Sequence, residues 1–282
     1  MSDKIADYKA LLDLYMRAVQ TMAGKQPSVE ETWMVEAEHL AQKLFMHLAS
    51  LLYLRSGTRI DEFTGQRIHF FDFASSAVLA RTAYETYLTF YFIFAVPKAA
   101  QERCFRCQVW KLGGLLDRQR FPPISQEGKQ RLEQETIQIQ ELRSRIEQSP
   151  AFIGLPVKRQ KDVLKGRWKL GKTWKEIAMV TGSSKRYFVG LYAYLSSYTH
   201  SGYLSALQVG QAEGKDVQYK LGELHVGVGL SLMSHFLDAY SSLFPPVKHL
   251  IDADSASKKL LEKWLITGQD MDRLYDSPST IR

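Results

Sequence analysis

Arg81 and Glu85, in the stretch RTAYETY, stand four residues apart, the spacing that puts two side chains on one face of a helix. Their neighbours on that face, Ala77, Val78, Tyr84, Leu88 and Phe92, are mostly apolar. Two charges in such a setting demand partners, because an unpaired buried charge is very costly, and a mutual ion pair meets part of the demand. Far downstream, LYAYLSSYTHSG (Leu191–Gly202) sets Tyr194, Ser197 and His200 at steps of three. A neutral histidine both donates and accepts, so it can link Ser197 or Tyr194 to a carboxylate such as Glu85. Arg81, Glu85, Tyr194, Ser197 and His200 therefore form one of two things. One is a buried hydrogen-bond network that fixes how two helices pack; the other is an active site with His200 as acid or base. Either way Arg81, Glu85 and His200 are expected to meet. The network reading adds that His200→Ala orphans buried groups and lowers the melting temperature.

A second constellation is electrostatic. The chain carries a net charge of +7, and it is uneven: Lys158 to Arg186 holds ten Lys/Arg against Asp162 and Glu176. Lys158, Arg159, Lys161, Lys165, Arg167, Lys169, Lys185 and Arg186 are candidate phosphate contacts, for RNA before DNA, with an acidic protein as the other class of partner. The plain alternative is a solvated surface segment. Within this region TWKEIAMVTGSSKRYFVGLYAYL resembles a helix-turn-helix. Its second helix offers Tyr187, Phe188, Val189, Leu191 and Leu195, a face suited to burial, which leaves Lys185 and Arg186 to touch phosphates.

Other chemistries lack their residues. Glu36 and His39 have the E-x-x-H spacing of a di-iron bundle, but no second copy exists. Cys104 and Cys107, in CFRC, would need two further ligands to hold zinc. There is no phosphate-binding Gly-rich loop and no G-x-S-x-G elbow. No metal and no cofactor is expected.

These residues must be positioned by helices, since 3.6-residue periodicity dominates the chain and strand alternation is scarce. Helices are predicted over Asp3–Met22, from Ser28 to Gly57 with a Ser28/Glu31 capping box, from Asp72 or Ser75 to Val96, and over Lys98–Arg120. Ser125–Gln148 is a charged helix with a thin apolar stripe, and Lys158–Lys172 is basic and irregular. Thr173 caps a short helix, Ser183 or Ser184 caps the one carrying His200, Val217–Phe244 is long, and Ser257–Ile266 is short. The loop GTRIDEFTGQR has room for a hairpin. The fold class is all-α: a bundle of long antiparallel helices with a protruding charged middle region. It is read as a single helical domain over 1–282, with a core near 28–120 and 173–244 and a basic insertion at 121–172.

Composition bounds the setting. The 282 residues are 45% hydrophobic and 24% charged, as in globular chains that bury a core. The run TYLTFYFIFAV is too short to span a bilayer. The start carries acids among its apolar residues, unlike a signal peptide, and the two cysteines sit in one run that a bridge would scarcely staple. These features point to the cytoplasm and away from membranes, and they are compatible with a homo-oligomer.

The R-x-x-x-E pair in an early apolar helix, followed by a helix ending Y-x-x-S-x-x-H, resembles an uncharacterised bacterial helical family of unknown function grouped with HEPN-like bundles. The residues that carry the resemblance are Arg81, Glu85, Tyr194, Ser197 and His200, and it spans roughly Ala37 to Tyr240. It implies a helical bundle with a link to RNA cleavage and to phage-defence or toxin–antitoxin biology. The short Arg-to-His spacing of the group's ribonucleases is absent here. The leading expectation is a HEPN-like protein that acts through a nucleic-acid or protein partner and leans away from catalysis. The alternatives are a metal-independent ribonuclease using His200 with Arg81, and a purely structural interaction module.

Overall fold

The computed structural model describes residues 3–28, 31–60 and 68–276. The chain is all-α apart from one short ribbon. Helix α1 (Lys4–Gln20) is capped by Asp3, and α2 (Trp33–Arg55) begins at Trp33, later than a Ser28 cap would start it. Ser28 instead bonds the Glu31 carboxylate ahead of the helix. Strands β1 (Thr58–Arg59) and β2 (His69–Phe70) pair antiparallel, Thr58 opposite Phe70 and Arg59 opposite His69. Residues 61–67 of that expected hairpin loop, and the tail beyond 276, lie outside the described residues.

Asp72 caps α3 (Phe73–Phe90) by accepting from the Ser75 amide, and α3 runs on into a π-helical turn, Tyr91–Ala95, before Pro97. Then come α4 (Ala100–Arg118), α5 (Gln126–Glu147), α6 (Pro150–Ile153) and α7 (Val157–Leu164). Helix α8 (Trp174–Val180) opens with a full Thr173/Glu176 capping box, and Ser184 caps α9 (Lys185–Thr199). Next are α10 (Tyr203–Gln211) and α11 (Lys215–Leu243). Pro245 and Pro246 do not only stop α11; they start α12 (Pro245–Asp252) at the position where a missing N–H costs nothing. The chain ends with α13 (Ser255–Trp264) and α14 (Gly268–Asp276). No helix among the described residues is long and apolar enough to cross a membrane.

Helix α3 is the axis of the main core. It packs against α2, α9 and α11, while α1 lies on α2 and α11. Ten of the α3 residues from Ser76 to Phe90 are buried, so the helix has little free surface on which to leave a charge unpartnered. The core also takes in Tyr8, Leu11 and Tyr15 of α1 and Val247, Ile251 and Leu261 beyond α11, outside the segments expected to form it. Tyr8 and Tyr15 are fully buried, and each hydroxyl donates to a carbonyl of α2, Leu48 at 2.8 Å and Ala41 at 2.9 Å.

The charged middle region has a core of its own. Phe105, Val109 and Leu112 of α4 meet Ile139, Leu142 and Ile146 of α5, with Phe152 and Val163 closing the cluster. The thin stripe of α5 is thus a buried seam, and the buried Glu135 on it takes a 2.7 Å ion pair from Arg118. Trp168 and Leu170 pack against both cores. Between them the backbone of Gly166, at φ +73°, presses on Gly113 of α4, where a Cβ would come within 2.5 Å of the Gly166 carbonyl oxygen. Two glycines are needed for that approach, and it fixes the start of the basic 165–172 loop on α4.

Candidate functional site

Arg81 and Glu85 sit on α3 facing α9, and their side chains are 13% and 28% exposed. Glu85 Oε1 accepts from Arg81 Nε at 3.3 Å and Nη2 at 3.2 Å. The same oxygen accepts from the Tyr192 hydroxyl at 2.6 Å. Arg81 Nη2 also donates to the Tyr192 hydroxyl at 3.2 Å, and the guanidinium lies 5.0 Å from that ring's centroid. Its remaining arm, Nη1, is 2.9 Å from His200 Nε2. An arginine can only donate, so Nε2 must offer its lone pair and the imidazole proton must sit on Nδ1. The contact therefore exists only with a neutral His200.

Electrostatics follow this geometry. Burial works against the Arg81 charge, but the hydrogen bond and charge of Tyr192 and the Glu85 carboxylate outweigh it, so the guanidinium is held above its ordinary value. Burial, then the bond to Glu85, pushes the Tyr192 phenol up, with Arg81 pulling the other way. The result is a fixed cation whose free arm points at an exposed imidazole. That pair can neutralise an oxyanion and exchange a proton.

Of the five residues expected to form one cluster, three meet. Tyr194 and Ser197 do not join Arg81. The Ser197 hydroxyl accepts from the Ser205 amide at 3.0 Å and so organises the break between α9 and α10, where Ser201 takes a left-handed φ of +53°. Tyr194 turns toward α11, with its hydroxyl 3.4 Å from Nε2 of His225. His225 is fully buried, and its Nδ1 lies 2.7 Å from the Ser76 hydroxyl. Ser76 donates its one proton to the Phe73 carbonyl, so His225 must donate through Nδ1 and accept through Nε2. The buried hydrogen-bond network exists, but its histidine is His225 and not His200. Burial holds His225 well down, at about 4.

The basic residues are also split. Arg159, Lys165, Arg167 and Lys169 line one open cleft of about 720 Å³, together with Arg120, Arg143 and Lys172. Seven cations thus face two carboxylates, Asp117 and Asp162. Asp162 pairs with Arg159 and Arg167, and Asp117 with Arg120. Among the described residues no carboxylate pairs with Arg143, Lys165, Lys169 or Lys172. Lys158 and Lys161 stand exposed on α7 outside the lining. Lys185 and Arg186 lie elsewhere, at the start of α9. Arg186 pairs with Asp276 at 3.3 Å and stacks over Tyr275, while Ser184 bonds Asp272, so α14 covers this end of the helix-turn-helix. The second helix buries Phe188, Leu191, Leu195 and Tyr198, and its exposed residues between Arg186 and Thr199, which are Val189, Gly190 and Ala193, carry no polar side chain to read base edges. The Lys169 ammonium sits 4.2 Å over the Trp174 ring; burial pulls its pKa down, and the charge of Glu85 offsets part of that.

A family of unknown function, DUF5677, matches residues 69–216. The match is just over half of the chain; it holds Arg81, Glu85, Tyr192, His200 and every lining residue of the cleft, and leaves out His225. No curated protein and no solved structure matches the chain.

Two outcomes follow for the histidines. His225→Ala should lower stability by about 1–3 kcal/mol by breaking a buried network, whereas the exposed His200→Ala should stay within about 0.5 kcal/mol, as read by thermal and denaturant melts. The pH dependence has a definite sign. His225 binds a proton at 6.5 when unfolded but only near 4 in the fold, so between those values the unfolded state holds more protons. Its contribution is complete above about pH 6.5 and falls by about 3 kcal/mol as the pH drops toward 4. Urea titrations across that window should show the slope in wild type and a shallower one in His225→Asn.

Proposed function

The chain belongs to the family of unknown function DUF5677, and we propose that it is an RNA-binding protein that holds the phosphate backbone in the basic cleft. One observation carries the reading: four cations with no carboxylate partner among the described residues, Arg143, Lys165, Lys169 and Lys172, converge on one open cleft from α5 and from the 165–172 loop. A run of basic residues that only kept the chain soluble would spread over the surface. Here α5, α7, the turn after α4 and the loop contribute cations to the same concavity, which is the arrangement that raises the local potential for an anion. The wider reading is a HEPN-like single helical domain working in the cytoplasm, with an RNA-directed role in phage defence or toxin–antitoxin biology. The all-helical architecture supports it.

The salt dependence tests it. Each phosphate neutralised releases condensed counterions, so affinity for RNA should fall steeply as salt rises. Replacing Arg143, Lys165 and Lys172 with Gln should weaken binding of all sequences alike and flatten the log–log salt slope by about 2. Lys158→Gln with Lys161→Gln, outside the cleft, should change little. Salt-indifferent binding, or equal damage from both variants, would reject the cleft.

A second reading, metal-independent RNA cleavage, rests on the 2.9 Å contact between Arg81 and His200. With substrate present, the neutral imidazole would take the proton of a 2′-hydroxyl as its oxygen bonds to phosphorus. Arg81 would offset charge on the non-bridging oxygens, and the 5′-oxygen would leave with a proton from the imidazolium. Wild type should then release 2′,3′-cyclic phosphate ends in the presence of a chelator, and His200→Ala should lose about 10²–10⁴-fold in rate while keeping its fold. Intact RNA after incubation with wild type would remove this reading and leave the binding reading standing.

A further inference from the structure

Seven cations explain why the cleft would hold phosphate, but not why an indole stands among them. Trp168 is the one aromatic side chain in the described lining, and its chain neighbours Arg167 and Lys169 line the cleft beside it. The ring is partly exposed yet firmly braced. Trp174 meets it edge-on at 5.8 Å, Phe92 lies 6.3 Å away, and both hydrophobic cores pack against it. The Lys169 ammonium is 5.9 Å from its centroid. A braced, partly exposed ring lining a cationic groove is the pairing that binds single strands: the aromatic stacks a base while nearby cations hold the backbone, and every base has a face to offer. A duplex keeps its base faces inside the stack and presents only its backbone and groove edges. If the cleft merely needed an apolar joint between the cores, Trp168 could be wholly covered, as the neighbouring Val163 is.

We propose that Trp168 is a base-stacking platform, and that the ligand of the cleft is single-stranded nucleic acid bound without sequence preference. This rests on the reading that the cleft binds nucleic-acid phosphate.

The test uses the full chain and three probes of equal length, about twelve nucleotides, within the site sizes of single-strand binders. They are oligoadenylate RNA, an abasic ribose-phosphate strand and an RNA duplex, all at one salt concentration. Wild type should bind oligoadenylate about 5- to 100-fold more tightly than the abasic strand. Trp168→Leu should abolish that difference and leave abasic affinity unchanged, and Trp168→Phe should keep part of it. Equal losses for oligoadenylate and abasic strands in Trp168→Leu would make the indole a structural joint and overturn the platform. Wild-type binding of the duplex as tight as that of oligoadenylate would overturn the single-strand class while sparing the phosphate reading. Failure of wild type to bind any of the three would defeat the phosphate reading and this proposal with it.

Discussion

A guanidinium that is mostly out of water cannot be left without acceptors, and Arg81 sits on a helix packed by neighbours on three sides. Glu85, one turn along, takes two of its donors but leaves its own oxygen able to accept more. Tyr192 fills that vacancy from α9 and receives a further donor in return, so three polar groups on two helices become mutually satisfied. The arrangement specifies how α9 lies on α3, since a shift of either helix would separate charges from partners in a poorly hydrated place. Such a pair adds little net stability over an apolar contact, but breaking one side of it is expensive, and that asymmetry favours a single packing. The fourth donor of the arginine is what remains for His200, and the exposed imidazole is held there by an interaction whose position was already set.

The cleft depends on a different constraint. Two cores meet at Trp168 and Leu170, and α4 serves both. The 165–172 loop can reach its place only because Gly113 and Gly166 let backbone touch backbone. A side chain at either position would lift the loop from α4 and disperse Lys165, Arg167, Lys169 and Lys172. Close approach of backbones thus sets the density of positive charge, much as burial sets the geometry around Arg81.

Helices were legible in the sequence because apolar residues recur at the helical period and several starts carry a recognisable cap: Asp72, Thr173 and Ser184 each accept from an amide of the helix they open. The meeting of Arg81, Glu85 and His200 was legible for a related reason, since charge on an apolar face has few solutions. Tyr192 was not, because it lies off the arc of Tyr187, Leu191, Tyr194 and Tyr198, and only the packing of α3 brings it to the carboxylate. His225 gave no signal either. The two histidines of α11, His225 and His235, are ten apart and form no recognisable motif, and the partners of His225, Ser76 and Tyr194, come from two other helices. Ser197 and His200, three apart, should have shared a face, but the chain leaves the helix at His200 and turns through a left-handed Ser201. Arg120 and Arg143 were invisible as members of the basic site because they are distant in sequence from the run at 158–186, and charge runs say nothing of what folds against them.

The two sites are not electrically independent, and Glu85 is the reason. Its charge acts on three groups: the Arg81 guanidinium, the Tyr192 phenol and the Lys169 ammonium. Partial desolvation favours the neutral form of Lys169, while the Trp174 face beneath it and the Glu85 carboxylate favour the charged one. A phosphate arriving in the cleft would supply the direct anionic partner that Lys169 lacks among the described residues. One partly buried acid thus pairs with Arg81 to set the helix packing and also acts, through its charge, on a cation of the cleft lining.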